Sequence, residues 1–335
     1  MKPGKLPHDL LAEMLARMPG GDPRVVVGPR VGEDAAVIDF GDRLLVAKTD
    51  PITFATDLIG WYAVHINAND IATMGAVPCW FMASLLLPPQ ADRGSVSDIF
   101  GQVAEACRDL GVTVVGGHTE ITLELNRTIL VGCMLGEVAR DQLITSAGAR
   151  PGDALILSGG IAIEGTALLA REAGEILAAK GMQAAAVEKA RNFLLDPGIS
   201  VVRAAHVAAG TGGVTALHDP TEGGLATGLR ELAMASGVGL EIAADRIPIL
   251  PLTQEVCGAL QLDPLGLIAS GSLLIAARSD AADAIVLALR VARIKAEVTG
   301  QALPEAEGLW MVTAGGRQPL PNFARDEVAR FFETQ

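Results

Sequence analysis

Asn67-Ala68-Asn69-Asp70-Ile71-Ala72-Thr73-Met74-Gly75-Ala76-Val77-Pro78 is the stretch on which the fold reading turns. It closes a mostly apolar segment, Asp57 to Met74, long enough for a helix. Gly75 stops that helix and Pro78 keeps it from resuming. The apolar run Cys79 to Leu87 follows. It is too short to span a bilayer and reads as a buried strand. Three polar residues interrupt the helix. Asn67 and Asp70 are three apart and so share one face, and acids and amides on a core-facing helix need partners. Either they are satisfied within the core or they hold a ligand.

Working outward, Ala36 to Phe40 and Arg43 to Lys48 read as strands joined through Gly41-Asp42, and Leu6 to Met18 has helical apolar spacing. Downstream, Ser97 to Leu110 is an amphipathic helix closed by Gly111. Val112 to Val115 and Asn126 to Leu135 are strands flanking a polar loop. The pattern breaks at Gly148-Ala149-Arg150-Pro151-Gly152-Asp153, which places a domain boundary between 1–149 and 150–335. Beyond it come a strand (Ala154 to Leu157), a turn (Ser158-Gly159-Gly160) and an Ala-rich helical stretch to about Arg191. A helix (Val201 to Ala209), a strand (Val214 to Leu217) and a helix (Glu222 to Ala235) are next. Strand Leu273 to Ala277, helix Ala282 to Val291 and strand Lys295 to Val298 complete the pattern. Two mixed α/β (α+β) domains are expected.

Composition agrees. The chain has 335 residues, enough for two ordinary cores, and half are hydrophobic, which excludes general disorder. Net charge is −13, with no Lys/Arg run to attract nucleic acid. A nucleotide stays compatible with that charge, because Mg²⁺ bridges carboxylates and phosphates. The four cysteines, Cys79, Cys107, Cys133 and Cys257, are far apart in apolar stretches and read as buried free thiols in a reducing compartment. The start, Met1 to Leu10, is polar with Pro3 and Pro7 and has no signal-peptide apolar region. A cytoplasmic location without membrane or nucleic-acid partners follows as an expectation.

Few carboxylates stand where a carboxylate is costly. Asp34 lies at the mouth of a strand in Gly32-Glu33-Asp34-Ala35-Ala36, and Asp50 at the end of the next in Thr49-Asp50-Pro51. Together with Asp70 they would suit Mg²⁺, a hard cation that prefers oxygen; each also suits an ordinary turn. In Gly116-Gly117-His118-Thr119-Glu120 two glycines would let backbone N–H groups approach an anion, with His118 and Glu120 acting on substrate or metal. A tight turn reads equally well. His218-Asp219-Pro220-Thr221-Glu222-Gly223-Gly224 fits a capping box, with Asp219 as N-cap, Pro220 at the first helical position and Glu222 at the third. The same geometry would also make an anion site. No Walker A pattern and no G-x-G-x-x-G after a strand occurs, so a bound nucleotide would not sit in a P-loop or Rossmann site.

In order, "GEDAAVI", "KTD", "NANDIATMGAVP", "VVGGHTE", "DPTEGGLATGLRELA" and "LDPLGLIASGSLLIA" resemble the aminoimidazole ribonucleotide (AIR) synthase-related, PurM-like superfamily from residue 28 to about 277. The last two look most like its hydrogenase-maturation HypE branch. The resemblance implies two-domain homodimers whose N-terminal halves pair into a β-barrel-like core, with ATP and Mg²⁺ in a cleft beside it. It implies metal binding by Asp34, Asp70 and Asp219, with Asp50 a further candidate. Asn67, Gly116, Gly117 and Glu222 become candidate nucleotide contacts, and His118 and Glu120 candidate catalytic residues. The implied chemistry is ATP-dependent phosphorylation of an amide or carbonyl oxygen on a small-molecule or protein-borne acceptor. The alternatives are a small-molecule kinase resembling thiamine-monophosphate kinase and a nucleotide-binding maturation factor without turnover. HypE carries its carbamoyl group on a C-terminal cysteine. Here the tail reads Phe331-Phe332-Glu333-Thr334-Gln335, and the turn "GGIAIEGTALLA" lacks the Asp-His typical of that branch.

Overall fold

The computed structural model describes residues 6, 8–52 and 57–333. Most of the polar start that includes Pro3 and Pro7, and the last two residues of the tail, lie outside the described residues. Two compact units emerge, one of residues 20–29 and 34–143, the other of residues 144–335 with segments 1–19 and 30–33.

After helix α1 (His8–Leu15), the chain forms β1 (Val25–Val27), β2 (Ala36–Asp39), β3 (Leu44–Ile52), α2 (Ile59–Thr73), β4 (Val77–Leu87), α3 (Arg93–Leu110), β5 (Thr113–Ile121) and β6 (Ile129–Val138). The strands make one sheet in the order β1-β2-β3-β6-β4-β5. Its pairs are antiparallel except β4 with β5. Every residue of α2 but Trp61 is buried, as an all-round apolar helix requires. It packs on β3, β4, β6 and α3. It ends where Gly75 N–H reaches the Ala72 carbonyl and Ala76 N–H the Ile71 carbonyl, which satisfies two orphan carbonyls of the last turn. That ending aims β4 back across the sheet. Helix α3 starts at Arg93, four residues before the expected Ser97, because the Asp92 side chain caps it by accepting the Ser95 N–H at 2.7 Å.

The second unit runs β7 (Ala154–Ser158), α4 (Ile163–Glu172), α5 (Gly174–Ala179), α6 (Ala184–Arg191), α7 (Val202–Thr211), β8 (Val214–His218), α8 (Gly224–Ser236), β9 (Val238–Ala243), α9 (Pro251–Leu260), β10 (Leu273–Ala277), α10 (Ala282–Val291), β11 (Ala296–Pro304), β12 (Leu309–Thr313), β13 (Gly316–Pro319) and α11 (Glu327–Glu333). Its seven strands lie in the order β13-β12-β9-β11-β7-β10-β8. All five residues of β10 are buried, as suits an inner strand. Leu155, Leu157, Leu169, Leu229, Leu274 and Phe331 belong to one apolar core beneath the helices. With mostly antiparallel pairs in both sheets, the α/β expectation holds in its α+β form.

Several expected elements differ from those observed. The Ala-rich stretch is three helices, α4 to α6. The strand expected to stop at Val115 runs to Ile121, straight through the two glycines. The helix expected from Glu222 begins at Gly224. Among the described residues no helix is long and apolar enough to cross a membrane.

Candidate active site

In the first unit two acids meet at a lysine, and a third lies beside one of them. Lys48 and Asp50 are two apart on β3 and therefore share a face. The Lys48 Nζ lies 3.3 Å from Asp50 Oδ2 and 3.2 Å from Asp70 Oδ1 on α2. Asp34, in the turn before β2, and Asp70 are both buried, and each offers a carboxylate oxygen within 4.8 Å of the other's. Two like charges at that spacing repel by roughly 3–4 kcal/mol at an effective dielectric near 20. Lys48 offsets part of that repulsion from 3.2 Å, and the carboxylate pair could also hold a metal cation. All its donors are carboxylate oxygens, so the residues fit Mg²⁺ as a hard ion.

Asn67, expected to touch a cofactor, is instead spent on the backbone. Its Oδ1 accepts the Asp50 N–H at 2.9 Å and its Nδ2 donates to the Ala63 carbonyl at 2.8 Å. Gly132 leaves the room for it, since a Cβ there would come within 2.4 Å of Nδ2. Asn67 ties the β3 backbone at Asp50 to α2, which makes it a positioning residue.

The Gly-Gly nest expected at 116–117 is absent, because both glycines lie inside β5. Gly117, at φ +151°, sits against β4 so closely that a Cβ would come within 2.4 Å of the Ala83 carbonyl oxygen. The glycines serve strand pairing. His118 and Glu120 project together from this strand. The His118 Nε2 is 3.1 Å from Glu120 Oε2, and Thr122 Oγ1 donates to Glu120 Oε1 at 3.0 Å. These contacts, His118 first, hold the Glu120 carboxyl below its usual range. Both side chains are exposed. Beside them an apolar groove of about 430 Å³ runs between α3 and the sheet, lined by Phe81, Phe100, Val103, Val114 and Gly117 among others.

In the second unit, β8 delivers His218 and Asp219, both buried. His218 Nε2 is 3.2 Å from Glu231 Oε2 on α8. The capping box is not formed. Gly223 is the N-cap in the left-handed region, without a side-chain cap bond, so Asp219, Pro220 and Glu222 precede the helix. Gly223 and Gly224 have φ of +79° and +66°, and a Cβ on Gly224 would strike the Leu265 carbonyl at 2.5 Å. Only Gly-Gly turns here. The Gly223 N–H donates to Asp326 Oδ2 at 2.6 Å. The buried carboxylate of Asp219 is thus not a helix cap.

Sequence reasoning missed Lys48, Glu164 and Asp326. Burial first, then the negative charges of Glu222, Asp326 and Asp219, push the Glu164 carboxyl up to about 8 against the lowering effect of a Ser270 hydrogen bond. Burial likewise raises Asp326 to about 6, against its backbone hydrogen bonds. Glu164 was visible in principle as the one acid in the apolar run Ile161 to Ala170. Asp326 gave no such signal, because its partner is a hundred residues away.

The two domains match known proteins. The N-terminal domain model of AIR synthase related proteins matches residues 32–138, and the C-terminal domain model residues 150–310. The chain is 30% identical over 306 residues to a hydrogenase expression/formation protein of Methanocaldococcus jannaschii, spanning 89% of this chain and 88% of that one. It is 33% identical over 272 residues to the carbamoyl dehydratase HypE of Cupriavidus necator, spanning 78% and 73%. In fold it is similar to a hydrogenase maturation protein HypE solved in complex with ATP, with a TM-score of 0.73 at 24% identity over 95% of this chain and 91% of that one. With both domain models matched in order along one chain and a relative aligned over nearly its whole length, the chain belongs to the AIR synthase-related family.

Proposed function

We propose that this protein is an enzyme that binds ATP through Mg²⁺ and transfers the γ-phosphoryl group to an amide- or carbonyl-type oxygen. The observation that carries this reading is the pair of buried carboxylates, Asp34 and Asp70, set within 4.8 Å with Asp50 nearby. Asp34, Asp50, Asp70 and Asp219 are the proposed metal ligands, Asp34, Asp70 and Asp219 on the family resemblance and Asp50 as a further candidate that shares Lys48 with Asp70. When bound, Mg²⁺ would screen the triphosphate charge. Glu222 is the proposed nucleotide contact from the second unit. His118, steered by Glu120, is the proposed base for the acceptor.

Phosphorylating a carboxamide oxygen turns it into a leaving group. Loss of phosphate and the two amide protons leaves a nitrile, and ATP ends as ADP and phosphate. That course is supported by the carbamoyl dehydratase relative. Product analysis tests it with Mg-ATP and a peptide bearing S-carbamoyl cysteine. ADP with an equal amount of free phosphate, dependent on the peptide, supports the reading. ADP without free phosphate indicates a kinase, and no ADP with any acceptor indicates a binding protein.

The carrier is proposed to be separate from this chain's four cysteines. Burial raises the thiols of Cys79 and Cys133, that of Cys107 to about 11 and that of Cys257 to about 12. Thiols held that high supply almost no thiolate at neutral pH. Intact mass after turnover with a carbamoyl donor should show no adduct on any of them; one mapped adduct overturns this.

The proposed assembly is a cytoplasmic homodimer. Strand β5 is a sheet edge with all nine residues exposed, including Val114, Val115 and Ile121. An unpaired apolar edge of that length invites a second copy. Light scattering should give twice 34.6 kDa, and Val115→Lys should give the monomer mass. A wild-type monomer at micromolar concentration contradicts the assembly.

A further inference from the structure

Lys48 is the cation already present in the acid cluster of the first unit. Its ammonium sits 3.3 Å from Asp50 Oδ2 and 3.2 Å from Asp70 Oδ1, with about one fifth of its side chain exposed. An ion pair of this kind on an open surface would contribute little. Here one partner, Asp70, is a buried residue of α2, and β3 fixes the root of the lysine on the same face as Asp50. The ammonium therefore occupies space among the carboxylates proposed to hold Mg²⁺.

A lysine and a divalent ion compete for the same oxygens. Three positive charges within a few ångströms repel strongly unless anions lie between them. Lys48 must then release Asp50 and Asp70 when they turn to a metal. Its root stays fixed, so the ammonium moves by only its flexible stem. The anion arriving at that moment is the polyphosphate that the metal accompanies. We infer that Lys48 is a phosphate ligand of this site, held in readiness by Asp50 and Asp70 and handed to a nucleotide phosphate oxygen when the metal takes the carboxylates. The inference rests on the Mg-ATP reading given above and adds to it a residue and an order of events. A flexible ammonium suits this handover better than a guanidinium, because it acts as a point charge that turns freely between partners. It also gives the carboxylates a counter-charge while no nucleotide is bound, so the acids do not repel one another unscreened.

Two measurements test it. The first is calorimetry of the non-hydrolysable analogue AMPPNP with Mg²⁺ on wild type and Lys48→Met. Loss of one charge-assisted phosphate contact should weaken binding roughly 10- to 100-fold. Mn²⁺ binding without nucleotide should tighten, since the competing ammonium is gone. The second uses the wild-type chain and stands even if Lys48→Met does not fold. Lys48 acetylation, mapped by mass spectrometry, should rise with millimolar Mg²⁺ alone and fall when AMPPNP is added. Equal AMPPNP affinity in a folded Lys48→Met, or Lys48 acetylation unmoved by AMPPNP, overturns the inference. Failure of the wild type itself to bind Mg-AMPPNP would instead sink the Mg-ATP reading.

Discussion

Asp70→Asn should lower ATP turnover by about three orders of magnitude, equivalent to roughly 4 kcal/mol of transition-state stabilisation, and should leave the fold intact. Asn keeps the size of Asp and an oxygen but not the charge that a divalent ion needs. The surroundings tolerate the change. The Asp70 backbone carbonyl still accepts the Thr73 hydroxyl at 2.8 Å, and α2 keeps its apolar packing. Removing one of two carboxylates within 4.8 Å also relieves repulsion with Asp34. Steady-state ADP release, with circular dichroism on the same preparation, checks the prediction. Retained turnover would reduce Asp70 to a counter-ion for Lys48.

Glu164→Gln should stabilise the protein at pH 8 and change little at pH 5. The folded carboxyl titrates near 8, against 4.5 for an unburied glutamate. Well below pH 4.5 both states hold the proton and wild type matches the variant. As pH rises toward 8 the unfolded chain has released a proton that the folded chain still holds, so wild-type stability falls with pH. The loss approaches about 5 kcal/mol as an upper bound. Gln stays neutral throughout and keeps the shape. Ser270, Glu222, Asp326 and Asp219 face the group, and Asp326 titrates in both proteins, so it cancels in the comparison. Thermal midpoints measured in EDTA should differ by roughly 10 °C at pH 8 and converge at pH 5. Midpoints that differ equally at both pH values would contradict the buried, protonated Glu164.

The sequence disclosed most where local chemistry decides structure. Gly75 and Gly111 end their helices as read, and α10 spans Ala282–Val291 as expected. Asp34, Asp50 and Asp70 stood out because acids are costly beside apolar runs, and the structure gathers them in one unit. Distant partners account for what was missed. Gly116-Gly117 has the composition of a turn, yet parallel pairing with β4 draws it into a strand. Tertiary hydrogen bonding there outweighs local preference. Asp219 to Glu222 has the letters of a capping box. The Gly223-Gly224 turn, anchored by Asp326 from far along the chain, starts the helix two residues later. Lys48 was hidden because a lysine on a strand near the surface reads as ordinary, and only α2 brings Asp70 to it.

The central claim is that carboxylates hold ATP through a divalent ion. Titration calorimetry of AMPPNP into the wild-type protein, once with Mg²⁺ and once with EDTA, tests it most directly. Without the ion, the acid cluster repels the triphosphate. The account predicts binding with Mg²⁺ that weakens on the order of 100-fold or is lost in EDTA. Equal affinity in the two conditions would contradict it.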